Sequence, residues 1–147
     1  MKNLSIFIAG CLLISMCVTQ SEPSSHATVT RQSENEYGSI DKLLVVHFHR
    51  VHQCTCCINV GKWAEETIQK YFPIEFEQGR IVYMDVCIEE TPELSRKYNA
   101  YGSSLFISII KGEEETFTEN MEVWTYCFDH DAYVDYFKNF LDSILTT

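Results

Sequence analysis

The stretch at residues 43–49, LLVVHFH, constrains the fold more than any other part of the chain. It is a nearly continuous apolar and β-branched run. Strands with one wet face alternate between apolar and polar residues, whereas strands covered on both faces read as unbroken apolar runs. The stretch therefore predicts a strand that is buried on both faces at the centre of a sheet.

Helical and strand patterns alternate after this run. From Cys57 onward, apolar side chains recur at helical spacing at Val60, Ala64 and Ile68. Strands are predicted at residues 80–87, 105–110 and 115–118. A short helix is predicted to open at Thr91-Pro92 and a last helix to span residues 129–145. The order β-α-β-α-β-β-α indicates an α/β domain with a four-stranded mixed sheet flanked by helices.

Two cysteines stand where the first strand gives way to the first helix. Cys54 and Cys57 have C-x-x-C spacing, which places them on one face of a helical turn and close enough for a disulfide. Unpaired N–H groups at a helix start stabilise a thiolate, the attacking species in thiol–disulfide exchange. This pattern predicts Cys54 as the nucleophile and Cys57 as the resolving thiol of a catalytic dithiol.

The rest of the composition excludes several classes of function. The chain has 147 residues, enough for one domain, and a formal charge of −10 from 11 basic and 21 acidic side chains. Nucleic-acid binding relies on clustered Lys and Arg, so no nucleic-acid partner is expected. No G-x-G-x-x-G or flavin-type loop is present in the sequence, and no cofactor is predicted.

The N-terminal segment predicts export. Lys2 precedes an uncharged apolar run that ends near residue 18 and is short for a membrane span. Residues 1–18 are therefore interpreted as an export signal, with Cys11 or Cys17 as alternative sites of a lipid anchor to the membrane. Residues 19–39 are polar and predict a disordered tether, and residues 40–147 form the folded domain. The expected location is extracytoplasmic, in the periplasm or cell envelope.

The stretch HFHRVHQCTCC also permits a metal site. Imidazole and thiolate suit copper, zinc or arsenic, and Cys54, Cys56, Cys57 and His49 are the alternative ligand set. In a strand His47 and His49 share one face, so the nearer His49 and the loop residue His52 can reach the cysteines, whereas His47 is predicted to be structural. Removal of the signal leaves five cysteines, and Cys56 is the candidate for the unpaired one.

Several motifs together resemble a known family. FHRVHQCTCC, YNAYGSSLFISI and MEVWTYCFDHDAYVDYF are similar to the small thioredoxin-like family called the ArsF-type subunit of nitrophenyl-compound nitroreductase, over about residues 42–145. The resemblance implies a thioredoxin-like fold and carries over Phe48, His49, Cys54, Cys57 and Trp124.

The chain departs from the pattern of this family at three positions. Gln53 replaces an Arg, Gly61 replaces a Glu that is a candidate proton relay, and Cys56 replaces a Thr-like residue. Thioredoxins at large also place a cis-proline opposite the dithiol, where this chain has Ser103-Ser104. A more open pocket, with Ser103 and Ser104 as binding residues beside the dithiol, is therefore expected.

The first functional hypothesis is an exported thiol–disulfide oxidoreductase or electron-relay subunit that exchanges electrons with a protein disulfide or dithiol partner. The second is a metal or metalloid binding protein on the same fold. The third is a thioredoxin-like interaction module without redox turnover.

Overall fold

The computed structural model of the chain describes residues 40–146. The predicted export signal at residues 1–18, the lipid-anchor candidates Cys11 and Cys17, and the tether at residues 19–39 lie outside these residues. Within the described range, no helix is both long enough and apolar enough to cross a membrane.

Four strands form one mixed sheet. The strands are β1 (Lys42–His49), β2 (Ile81–Cys87), β3 (Ser104–Lys111) and β4 (Glu114–Glu119). The helices are α1 (Thr55–Tyr71), α2 (Pro73–Glu77), α3 (Pro92–Tyr98) and α4 (His130–Leu145), with a 3₁₀ helix at Glu122–Tyr126. The sheet order is β2-β1-β3-β4; β1 pairs parallel with β2 and antiparallel with β3. The predicted central position of β1 is confirmed.

The two faces of β1 belong to two separate clusters of buried side chains. Leu43 and Val45 pack into the larger cluster, which includes side chains of α1 and α4. Val46 and Phe48 face the other way and pack in a second cluster with Tyr98 of α3. Each of these four β1 side chains has 0% exposed surface. The unbroken apolar run of the sequence therefore reflects burial on both faces.

Helix α1 follows the predicted spacing. Val60, Ala64 and Ile68 are fully buried. The helix ends at Tyr71, and Pro73 begins the short α2 because proline is tolerated in a first helical turn but not in a helix interior. Helix α2 and the 3₁₀ helix were not predicted, because five residues are too few to show a repeating helical pattern.

The N-caps of α3 and α4 differ. Asp129 caps α4 with its short acidic side chain, which accepts a hydrogen bond from the Ala132 N–H at 3.1 Å. Thr91 occupies the N-cap position of α3, but its side chain makes no capping bond. Its carbonyl oxygen instead accepts from the Ser95 hydroxyl at 3.1 Å.

A disulfide joins Cys56 to Cys127, 71 residues apart in sequence, with a Cα–Cα distance of 5.1 Å. The interpretation of Cys56 as the spare thiol is therefore wrong. Successive side chains diverge by about 100° around a helix, so Cys56 can face the segment before α4 while Cys57 faces elsewhere. Asn59 reinforces the junction by donating a side-chain hydrogen bond to the Cys127 carbonyl at 2.9 Å.

Candidate functional site: a dithiol at the start of the first helix

Cys54 is the N-cap of α1. Its backbone is extended, with φ −80° and ψ 163°, and its Sγ accepts a hydrogen bond from the Cys57 N–H at 3.2 Å. Cys54 is exposed, Cys57 is half-buried, and both thiols are free. Four N–H groups lack helical partners at any α-helix start, so a sulfur in this position is held where negative charge is stabilised. The structure therefore brings the predicted nucleophile and resolving thiol together.

The surroundings of Cys57 favour its ionisation. Burial raises the pKa of the Cys57 thiol, but hydrogen bonds from Cys54, the Ser103 hydroxyl and backbone amides outweigh it and hold that pKa below its ordinary value. The lowered pKa therefore belongs to the predicted resolving thiol. The exposed Cys54 is the sulfur that an incoming disulfide can reach.

A histidine–aspartate pair lies close to the backbone of Cys57. His47 is 2% exposed, and its Nδ1 is 2.7 Å from the Asp85 carboxylate on the neighbouring strand. Burial lowers the pKa of His47 below 6.5 despite the opposing effect of Asp85. The imidazole is therefore neutral at neutral pH. With the Nδ1–H donated to Asp85, the buried Nε2 keeps its lone pair and has no hydrogen-bond partner.

Gly61 makes room for this imidazole ring. A Cβ on Gly61 would lie 2.6 Å from His47 Cε1 and closer still to Nδ1. The His47 ring therefore leaves no space for a Glu side chain at position 61. The Tyr83 hydroxyl donates a hydrogen bond to the Gly61 carbonyl at 3.0 Å. Burial raises the pKa of this hydroxyl.

A small polar cavity of about 180 Å³ adjoins the pair. His47, Gly61, Tyr83 and Asp85 line it together with residues of α1 and the loop before it. Asp85 is 55% exposed, so the buried imidazole is one hydrogen bond away from solvent. This arrangement provides a short path for a proton between the interior and bulk water.

The predicted binding residues His49, His52, Ser103 and Ser104 differ in their contacts and burial. His49 lies at the end of β1 with Nε2 3.6 Å from Asp85, and His52 is an exposed loop residue. Ser103 interacts with Cys57 and so adjoins the dithiol. Ser104 is buried as the first residue of β3, and its hydroxyl donates to the Gly102 carbonyl at 3.2 Å.

The Cys56–Cys127 disulfide weakens the hypothesis of a metal site in the cysteine–histidine cluster. Cys56 is bonded to Cys127 and therefore offers no thiolate to a metal, which removes one ligand from the alternative set of Cys54, Cys56, Cys57 and His49. Within residues 40–146, no group of three or more His, Cys, Asp or Glu side chains is arranged to hold a metal ion. The third free thiol of this range is Cys87, whose Sγ lies 3.4 Å from a Glu89 carboxylate oxygen.

The contact between His47 and Asp85 was not predicted. His47 was expected to be structural, because His49 and His52 are nearer to the cysteines in sequence. The missing signal was the register: two neighbouring parallel strands end at His49 and Cys87, so the residues two positions earlier lie side by side. Pairing the strand ends would have predicted the contact.

The β2-β1-β3-β4 mixed sheet flanked by helices, with the dithiol at the start of the helix that follows the central strand, is a thioredoxin-like fold. No protein-family model and no curated protein matches the chain. Among solved structures it is similar to a thioredoxin from Thermus thermophilus, 14% identical over 70% of this chain and 76% of that one, with a TM-score of 0.44. It is also similar to chloroplastic thioredoxin z, 17% identical over 63% and 80%, TM-score 0.39, and to a malarial protein, 16% identical over 65% and 96%, TM-score 0.39.

Substituting Gly61 tests the packing of His47. Alanine is the better helix former by ~1 kcal/mol, yet Gly61→Ala is expected to lower the free energy of unfolding by roughly 1–3 kcal/mol, because the new Cβ would overlap the His47 ring and displace it from its hydrogen bond with Asp85. Urea denaturation measures the change. Gly102→Ala is the control, because nothing lies within 4 Å of a Cβ there. A Gly61→Ala protein as stable as the wild type would contradict the contact.

The lowered pKa of His47 predicts loss of stability in acid. The unfolded chain binds a proton near pH 6.5, whereas the folded protein binds it only at lower pH. The contribution is therefore fully present above about pH 6.5 and is lost as pH falls toward the folded pKa. Urea denaturation between pH 7.5 and 5 should show a steeper loss for the wild type than for His47→Gln. Equal slopes for both proteins would show that His47 does not titrate as described.

Proposed function

We propose that this protein is a thiol–disulfide oxidoreductase that uses the Cys54–Cys57 dithiol. The observation that carries the proposal is the geometry of Cys54: an exposed sulfur that caps α1, with a second free thiol three residues later. The lowered pKa of Cys57 supports its role as the second thiolate of the reaction.

The proposed reaction has two displacements. The Cys54 thiolate attacks one sulfur of a protein disulfide, forms a mixed disulfide and expels the other sulfur as a thiolate. The Cys57 thiolate then attacks Cys54 Sγ, expels the remaining substrate sulfur and leaves a Cys54–Cys57 disulfide. The two electrons of the dithiol have passed to the substrate, which departs as a dithiol after gaining two protons.

His47 is proposed to hold the proton that Cys57 releases. Its imidazole is neutral, and its Nε2 has no hydrogen-bond partner. The backbone of Cys57 lies close enough to raise the pKa of the ring. Asp85 fixes the ring with its Nδ1 contact and stabilises the imidazolium that forms. The half-exposed Asp85 carboxylate then passes a proton from the imidazolium to solvent.

We further propose that the protein is exported and that it relays electrons to a partner. Export to the periplasm or cell envelope, with or without a lipid anchor, is supported by the sequence of residues 1–18. A role as an electron-relay subunit is supported by the resemblance of residues 42–145 to the nitroreductase-subunit family. In each case the partner would be a protein that presents a disulfide or a dithiol.

A peptide containing a quenched, fluorescent disulfide tests the proposed reaction. With dithiothreitol as electron donor, the full-length protein at micromolar concentration is expected to accelerate cleavage well above the rate with dithiothreitol alone. No acceleration between pH 6 and 8 would contradict oxidoreductase activity and favour the interaction-module hypothesis.

A further inference from the structure

Three loops lie at the end of the sheet that carries the dithiol, because β1 and β2 end there and β3 begins there. The first loop, residues 50–54, joins β1 to α1; the second, residues 88–91, joins β2 to α3; the third, residues 99–103, joins α3 to β3. The first loop ends at Cys54, and Ser103 of the third loop hydrogen-bonds to Cys57. The positions of the first and third loops therefore set the surroundings of both thiols.

Arg50 connects the first loop to the third. Its guanidinium Nη2 donates a hydrogen bond to the carbonyl oxygen of Tyr101 at 2.8 Å. Tyr101 lies two residues before Ser103, so this bond holds the backbone of the segment that carries the Ser103 hydroxyl. The N–H donors of a planar guanidinium have fixed directions, so the bond also defines where the carbonyl lies.

Packing contributes little to holding the segment at residues 101–103. The side chain of Tyr101 is 73% exposed. A Cβ added to Gly102 would have no atom of the described residues within 4 Å, apart from its own chain neighbours. Segments with few buried contacts move at a low cost in free energy, so the position of this one depends on hydrogen bonds such as the bond from Arg50.

Glu89 of the second loop orients the guanidinium. Arg50 Nη1 lies 3.8 Å from Glu89 Oε1, and the Val51 N–H donates a hydrogen bond to Glu89 Oε2 at 3.3 Å. One carboxylate thus contacts both the Arg50 side chain and the backbone of the loop that ends at Cys54. The two charged side chains are 59% and 41% exposed, and exposed ion pairs contribute little to stability, so the protein should stay folded without Arg50.

We propose that Arg50 is a positioning residue for the dithiol. It acts through the Tyr101 carbonyl, which keeps the Ser103 hydroxyl within hydrogen-bonding reach of Cys57. In the redox reaction, Ser103 then stabilises the Cys57 thiolate that resolves the mixed disulfide. This consequence for turnover rests on the proposed function, whereas the effect of Arg50 on the Cys57 thiol does not.

Alkylation of Cys57 by iodoacetamide tests the proposal, because the thiolate is the form that reacts. The pH dependence of the alkylation rate, followed by mass mapping of the full-length protein with its dithiol reduced, gives the pKa of Cys57. Arg50→Ala should raise this pKa by about half a unit to one unit, as expected for a lost hydrogen bond to a thiolate.

Two further variants separate positioning from a direct effect of the Arg50 charge. Arg96→Ala removes the same charge from an exposed position of α3 and should leave the pKa of Cys57 unchanged. Ser103→Ala should raise that pKa by about as much as Arg50→Ala does. Adding Arg50→Ala to Ser103→Ala should then give no further rise, because a residue that acts through Ser103 has no effect once the hydroxyl is gone.

Three results would overturn the proposal: a wild-type pKa of Cys57 in the Arg50→Ala protein, an equal rise in the Arg96→Ala protein, or a full further rise when Arg50→Ala is added to Ser103→Ala. The alkylation measurement needs no disulfide substrate and no turnover. A protein that is inactive toward the disulfide peptide can therefore still show the predicted shift, and an active protein can lack it, so the two proposals fail separately.

Discussion

Replacing Cys54 with serine is expected to reduce disulfide-reductase activity to background, a loss on the order of 10³-fold or more. Cys54 carries the exposed sulfur that makes the first attack, and a serine hydroxyl at the N-cap preserves the helix start without providing a thiolate. The disulfide-peptide assay measures the loss. The circular dichroism spectrum and urea midpoint should remain those of the wild type.

Cys57→Ser is the informative counterpart, because attack by Cys54 can still occur but resolution cannot. A mixed disulfide between Cys54 and the peptide should accumulate and be visible by mass spectrometry under non-reducing conditions. Trapping by the Cys54→Ser protein instead would reverse the two roles. If neither substitution changes the activity, the dithiol is not the working site.

The second large effect concerns stability. The Cys56–Cys127 disulfide closes a loop across 71 positions of sequence. Replacing both cysteines with serine is expected to lower the free energy of unfolding by roughly 4 kcal/mol, because the unfolded chain regains the freedom that the loop had removed. Urea denaturation of the oxidised wild type and of the double variant measures the difference.

Cys87→Ser is the matched control for the loss of sulfur. Cys87 is a free, half-buried thiol, and its replacement should change the free energy of unfolding by no more than about 1 kcal/mol. The variant lacking Cys56 and Cys127 should retain reductase activity under conditions where it stays folded. Loss of activity in that folded variant would show that the disulfide takes part in the redox cycle.

The parts of the fold that follow from local pattern could be predicted from the sequence. The run at residues 43–49 required a strand covered on both faces, and Val60, Ala64 and Ile68 required a helix that covers one of them. These two elements alone place Cys54 at the junction of strand and helix. The N-cap position of its sulfur could be predicted because the helix begins directly after Cys54.

The parts that depend on long-range contacts could not be predicted in the same way. Cys56 meets Cys127 only after α4 has packed on α1, and no local spacing identifies that partner. His47 meets Asp85 across 38 positions of sequence, a contact that can be predicted only after the ends of β1 and β2 have been paired. Gly61 was interpreted as the loss of an acidic side chain, but its role is to leave space for the His47 ring, and space is visible only in three dimensions.

Mass mapping of the disulfides across a glutathione redox titration distinguishes a working dithiol from an inert one. We expect the Cys54–Cys57 disulfide to form and break reversibly through the titration, while Cys56–Cys127 persists until strongly reducing or unfolding conditions are reached. A main oxidised species containing a Cys54–Cys56 bridge, or Cys54 and Cys57 that stay reduced throughout, would show that the Cys54–Cys57 dithiol is not redox-active.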